Sequence, residues 1–228
     1  MSIGSSYLKL RGEIPDYVKM VLAAKTRSAD EIKEAILAGA DIIGENYVQE
    51  AERVYSELGA LAEKVKWHFI GTLQKNKINK ALKIFDCFET VDSTELARAL
   101  NDRAGKAGKI VSVFVEINIG SEITKSGVKP EYEAVEELVK DISGLSRLRL
   151  EGLMTMGPRT GSPDDLRGYF RKTKEIFGML KRLNLPNVDL KYISMGMSNS
   201  YKVAIEEGSN MVRLGTAVFG RRSCDLTG

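Results

Sequence analysis

Eight short apolar runs alternate with seven longer amphipathic stretches between residues 18 and 215, and this rhythm restricts the fold more than any other feature. The runs are VKMVLAA at 18–24, DIIGE at 41–45, WHFIG at 67–71, CFETV at 87–91, IVSVFVEIN at 110–118, LRLEGLMTM at 148–156, LKYIS at 190–194 and MVRLG at 211–215. Each is the length of a strand, and the stretches between them carry helix punctuation. Ser28 with Glu31 spells a capping box before EIKEAILAG, and Gly39 stands where a left-handed terminator belongs. Asp92 with Glu95 opens TELARALNDRAG in the same way, Pro130 and Pro163 hold first-turn positions, and Gly208 closes KVAIEEG.

Consecutive βα units of this number, in 228 residues, fit a (β/α)8 TIM barrel near the small end of that fold's range. A doubly wound sheet is the rival. It lacks support from the first turn, because VLAA is followed by KTRSAD and not by a glycine-rich dinucleotide fingerprint. No Gly/Pro/Ser-rich linker or charge block divides the chain, so one domain over residues 1–228 is expected. The last strand candidate ends thirteen residues before the end of the sequence, so no second domain is expected after it.

Composition narrows the function classes. The 34 Lys and Arg and 31 Asp and Glu give +3, with both signs interspersed, unlike the clustered basic face of a phosphate-backbone binder; nucleic acid is not an expected partner. Cys87 and Cys224 stand far apart with no His or Cys nearby, so neither a zinc site nor a disulfide framework is expected. The apolar runs are too short to span a bilayer and the first residues lack a signal-peptide core; a soluble protein in the reduced cytoplasm, without a membrane partner, is the expectation.

In a barrel, residues at the C-terminal ends of the strands become neighbours. Lys25 then ends the first strand, Asn46 follows the second, Ser198 starts the helix after the seventh, and Gly215 and Thr216 follow the eighth. The first and eighth strands adjoin on closure, so Lys25 and the RLGT turn flank one pocket. A strand-terminal lysine beside a glycine turn able to hold phosphate is the minimal equipment for binding an aldehyde-phosphate cofactor covalently. Each residue also has an ordinary explanation: Lys25 as a solvated lysine, Ser198 as an N-cap, Gly215 as a turn glycine, Arg213 as a surface charge. Arg213, inside the short strand MVRLG, points either into the barrel or toward a helix. At a pocket it would meet a ring nitrogen and, being always charged, hydrogen-bond only to the unprotonated form. His68, the sole histidine, reads as a satisfied core residue or as a catalyst, and Lys75, Lys77 and Lys80 as a solvated helix face. Lys125, in the NIGSEITKSG loop, is either a solvated lysine or a second amine near a bound aldehyde.

Taken together, AAKT, GENYVQE, WHFIGTLQKNK, EINIGSEITKSG, EGLMTMGP, SMGMSNS and VRLGTAVFGRR resemble the pyridoxal phosphate homeostasis proteins over almost the whole chain. That family is similar to the barrel half of alanine racemase and holds pyridoxal 5′-phosphate as an internal aldimine without an established catalytic reaction. The resemblance assigns the Schiff base to Lys25, ring contacts to Asn46 and Ile70, and the phosphate to Ser198, Gly215 and Thr216. It places Arg213 near the pyridine nitrogen and Met197 in the pocket lining. Three features depart from the pattern: Ala24 where the family has serine, Ser200 where aspartate is usual, and a short N-terminal helix.

The resemblance implies a cofactor-holding and supply protein, a monomer whose partners are the cofactor and apoenzymes that need it. The competing reading is a fold-type III racemase or decarboxylase. Racemisation needs an acid/base on each face of the substrate carbon, one of them a tyrosine from a second domain that this chain is not expected to contain. A scaffold using an ancestral barrel gives no reason for lysine, arginine and phosphate turn to occur together.

Overall fold

A computed structural model describes residues 2–122, 126–157 and 162–221, so Lys125 and Cys224 lie outside the described residues. Eight parallel strands close into a barrel in sequence order: β1 (Lys19–Ala23), β2 (Ile42–Glu45), β3 (Lys66–Phe69), β4 (Cys87–Val91), β5 (Val111–Ile117), β6 (Leu148–Thr155), β7 (Val188–Met197) and β8 (Met211–Leu214). Closure is made by β1 on β8, with Val21 paired to Arg213 and Leu22 to Leu214. All eight apolar runs are strands, and the doubly wound alternative is not what forms. The seventh is longer than its apolar core suggests, reaching Met197 through an irregularity between Ser194 and Met197.

The two-residue period of a strand sorts the side chains into two cores. Val21, Ile42, Ile70, Cys87, Phe114, Met154 and Met211 fill the barrel, packed by Ala23, Met156 and Tyr192. Their neighbours, among them Leu22, Ile43, Trp67, Phe69, Phe88, Val113 and Leu214, face the helices. Continuing the inward series by two residues from Ala23, Gly44 and Arg213 leads to Lys25, Asn46 and Gly215, and from Phe114 to Glu116. Strand parity therefore aims these residues at the mouth formed by the strand C-termini.

The helical layer comprises α1 (Ile3–Glu13), α2 (Ala29–Leu37), α3 (Val48–Leu58), α4 (Ile78–Ala81), α5 (Thr94–Lys106), α6 (Tyr132–Ser143), α7 (Arg167–Lys181), α8 (Tyr201–Glu206) and α9 (Thr216–Phe219). The Ser28–Glu31 capping box forms on α2, and Gly39 follows that helix at φ +108°. On α5 the cap is Ser93, whose Oγ accepts the Leu96 N–H, and not Asp92. The Ser-Thr-Glu order of the sequence permits either register, and the serine one residue nearer takes the orphan donor. At eleven residues, α1 packs against α2 and α9. Tyr7 Oη donates to Gly39 O at 2.9 Å to hold it there.

Candidate functional site

Lys25 occupies a turn with an unusual backbone. Arg27 N–H donates to Ala24 O at 2.9 Å, closing the turn, and Thr26 lies at φ +66°. A β-branched residue in the left-handed region stores strain, and it persists only where surroundings enforce it. Glu50 on α3 supplies the restraint: its Oε2 accepts the Thr26 N–H at 3.0 Å. Lys25 is half-buried at the rim, while Ala24 is wholly buried in the outer core, so the missing serine hydroxyl would point away from the mouth.

Opposite Lys25 the chain gathers donors. Gly196 lies at φ +93°, and a Cβ there would come within 2.6 Å of the Ala204 side chain, so glycine is required for the tight exit of β7. Ser200, the N-cap of α8, accepts the Met197 N–H at 3.1 Å and fixes this turn from inside. Ser198 therefore neither starts nor caps the helix, contrary to the sequence expectation. Its Oγ reaches across to β8 and accepts the N–H groups of Gly215 at 3.2 Å and Ala217 at 3.1 Å. Ser198, Asn199, Thr216, Ala217 and Arg221 line a 530 Å³ surface cavity; the Gly215 and Ala217 N–H groups close on the Ser198 hydroxyl here, and an anionic group would have to take them over from it.

At the deep end stands Arg213, only 4% exposed. It points into the barrel, not to the surface: Nη1 donates to Ser194 O and Ser194 Oγ, each at 2.8 Å, and Nη2 to Thr155 O at 2.8 Å. Desolvation lowers its pKa, opposed by the negative charges of Glu89 and Glu116. Lys25, Asn46, Ile70, Met197, Ser198, Arg213, Gly215 and Thr216 all line one cavity of about 440 Å³, completed by Ala23, Met156 and Asn199. A second cavity of about 570 Å³ shares Lys25, Asn46, Ile70 and Met156 with it and adds Thr90 and Glu116. The beginning of this wall is narrow: a Cβ on Gly71 would lie 2.2 Å from Asn46 O, so glycine lets the β3 exit pass the β2 exit.

Sequence reading missed Glu116, Asn199 and Arg221. Glu116 carries a legible signal, a charge inside the apolar run IVSVFVEIN; burial, reinforced by Asp92, pushes it up to about 7, against the pull of Arg213. Of the lysines thought to share one solvated face, Lys75 pairs with Glu95, Lys80 with Glu52, and Lys77 instead lines the second cavity. Another cavity, about 740 Å³, is at the opposite end of the barrel, where His68 is reached, and is remote from Lys25.

The barrel and its mouth define a class: a lysine-ended first strand facing a phosphate-sized donor cluster after the seventh and eighth. Residues 13–223 match the family described as alanine racemase, N-terminal domain. Among curated relatives, the pyridoxal phosphate homeostasis protein of Aquifex aeolicus is 40% identical over 93% of this chain and 90% of its own length. That of Escherichia coli K12 is 37% identical over 92% and 88%. PipY of Synechococcus elongatus, solved with PLP bound, superposes at TM-score 0.88 with 30% identity, covering 96% of this chain and all of PipY. The chain belongs to the pyridoxal phosphate homeostasis protein family. Alanine racemase of Clostridium difficile, at 19% identity and TM-score 0.75, shares the barrel over 57% of its length.

Proposed function

We propose that this protein binds pyridoxal 5′-phosphate at the barrel mouth, held through a Schiff base to Lys25, and serves intracellular supply of the cofactor without catalysing a reaction of its own. One observation carries the reading: an amine, a phosphate-sized cluster of N–H and hydroxyl donors, and a buried guanidinium line a single 440 Å³ cavity. Those three features match the aldehyde, phosphate and pyridine nitrogen of one molecule. Bound there, the cofactor supplies an electrophilic aldehyde and an electron-withdrawing ring.

The chain's own residues divide the work. Lys25 offers the amine from a turn that Glu50 keeps rigid. Ser198, Gly215 and Thr216 hold the phosphate, with the Ala217 N–H and Arg221 adding to the same cluster. Asn46, Ile70 and Met197 would border the ring and Arg213 would face its nitrogen, where an always-charged guanidinium would leave that nitrogen unprotonated and weaken carbanion chemistry.

A supply role is supported by the lining itself. Among the described residues of the 440 Å³ cavity, Lys25 and Arg213 are the only ionisable side chains, so a bound amino acid meets no matched acid and base on its two faces. The relatives' name, a homeostasis protein, agrees with this division. Purified protein loaded with PLP is expected to show the aldimine absorbance band, to lose it in Lys25→Ala, and to pass cofactor to an apoenzyme. Sustained racemisation or decarboxylation of any amino acid at roughly 1 per second or faster would establish the enzyme reading instead.

A further inference from the structure

Inside the barrel, beneath the candidate cofactor cavity, four side chains from four strands form one hydrogen-bonded line. Arg213 Nη1 donates to Ser194 Oγ at 2.8 Å, Ser194 Oγ–H donates to Glu89 Oε2 at 2.6 Å, and His68 Nδ1–H donates to Glu89 Oε1 at 2.7 Å. The donor order is unbroken: both ends give hydrogens toward a carboxylate that only accepts. Glu89 is completely buried, Ser194 likewise, and Arg213 nearly so. Charges this deep must be compensated, and Glu89 is the carboxylate shared by the permanent cation Arg213 and the protonatable His68. Burial pushes the Glu89 carboxyl up, but the His68 hydrogen bond and charge, the Arg213 charge and the Ser194 hydroxyl outweigh it and hold the carboxyl below the usual range.

The two ends of this line open in opposite directions. Arg213 lines the 440 Å³ cavity with Lys25, whereas His68 lines the 740 Å³ cavity at the strand N-termini. With Nδ1 committed to Glu89, Nε2 is the nitrogen left to take a proton from solvent in that cavity. A proton there adds charge without breaking a bond in the line.

We propose that Glu89 and Ser194 are positioning residues for Arg213, and that through them the protonation state of His68 sets how much positive charge Arg213 presents to the cofactor. This rests on the reading that the cofactor ring faces Arg213. When the imidazole is neutral, Glu89 compensates Arg213 alone; when it is protonated, Glu89 is divided between two cations and the anionic cofactor is held more tightly.

Other ionisable groups in view have their own compensation or their own signature. In the interior these are Cys87 on β4, whose thiol burial pushes up, Tyr192 on β7, and Glu116 on β5, which titrates near neutrality. At the lower mouth, Lys19 pairs with Asp41 at 3.8 Å, Lys66 with Asp86 at 3.0 Å and Glu151 with Lys191 at 3.2 Å. Glu63, Lys64 and Arg149 complete that rim.

The test uses PLP-loaded full-length protein and His68→Asn, whose amide keeps a donor toward Glu89 and cannot titrate. PLP affinity and the bound-cofactor spectrum are measured at about pH 6 and about pH 8. The wild-type affinity ratio between the two is expected to exceed that of His68→Asn by about fivefold or more, tighter at the lower pH. Since Glu116 and the cofactor titrate in both proteins, their contributions cancel in that comparison. Glu89→Gln, which removes the shared charge, is expected to abolish the difference between histidine and asparagine at position 68. In the wild type, the ring ¹⁵N resonances of the sole imidazole are expected to move on PLP loading, because coupling is reciprocal. PLP binding with identical pH ratios, within about twofold, in the wild type and His68→Asn, or imidazole resonances indifferent to loading, would overturn the relay while leaving the cofactor site intact. No PLP binding by wild type would overturn both.

Discussion

The Oε2 atom of Glu50, on α3, accepts the backbone N–H of Thr26 at 3.0 Å and so holds the left-handed residue that follows Lys25. The lysine's direction is thus set by a helix outside its own strand. Removing the carboxylate in Glu50→Ala is expected to cost about 1–2 kcal/mol of stability, around the low end of the roughly 1.5–3 kcal/mol of a hydrogen bond to a charged group because the site is partly exposed. PLP affinity is expected to fall by about tenfold, since one rotational freedom of the turn must then be lost on binding. Chemical denaturation and cofactor titration of the same variant measure the two effects.

On the proposed reading, Ser198, Gly215 and Thr216 hold the phosphate, which is then the main handle on the cofactor. Pyridoxal lacking it is expected to bind at least about a hundredfold more weakly, because each hydrogen bond to a charged group contributes roughly 1.5–3 kcal/mol. Ser198→Ala is expected to lose about tenfold for the phosphorylated form and little for the other. Equal affinities for both forms in wild type would remove this cluster from the site.

Glu45 shapes the pH dependence of stability. Both of its carboxylate oxygens are buried without a hydrogen-bond partner, and burial, together with the charge of Glu50, pushes its pKa up to about 8; the nearby Asn46 N–H and Arg53 oppose this without closing a bond. An unfolded glutamate titrates near 4.3, so between about pH 4 and about pH 8 the folded state binds the extra proton and stability falls as pH rises. Glu116, raised to about 7, adds to the same slope. Glu45→Gln is expected to flatten that decline and to be the more stable protein at about pH 8, by on the order of 1–3 kcal/mol. Urea denaturation across that pH range measures it, and parallel curves for the two proteins would contradict it.

What the sequence made legible follows strand parity. Lys25, Asn46, Arg213 and Gly215 fall on the inward series of their strands, so a fold class and a two-residue period suffice to bring them to one mouth. Ser198 was found for a reason that the structure replaces. Its neighbour Ser200 takes the cap, because the β7 irregularity carries the strand to Met197 and shifts the helix start, and a register shift of that kind leaves no mark in a run such as LKYIS. The strain at Thr26 was hidden too, since its cause lies 24 residues away on α3. The His68–Glu89–Ser194–Arg213 line was hidden for a similar reason. Its members are spread from β3 to β8, and a lone histidine in a strand carries no sign of which buried carboxylate completes it.

On the proposed reading, Lys25 forms the covalent link to pyridoxal 5′-phosphate. The most direct measurement is borohydride reduction of the PLP-loaded protein followed by peptide mass mapping of every lysine. The pyridoxyl-phosphate mass is expected on Lys25 in the wild type and on no residue at comparable yield in Lys25→Ala. Recovery of that mass chiefly on another lysine of the wild type would contradict the account.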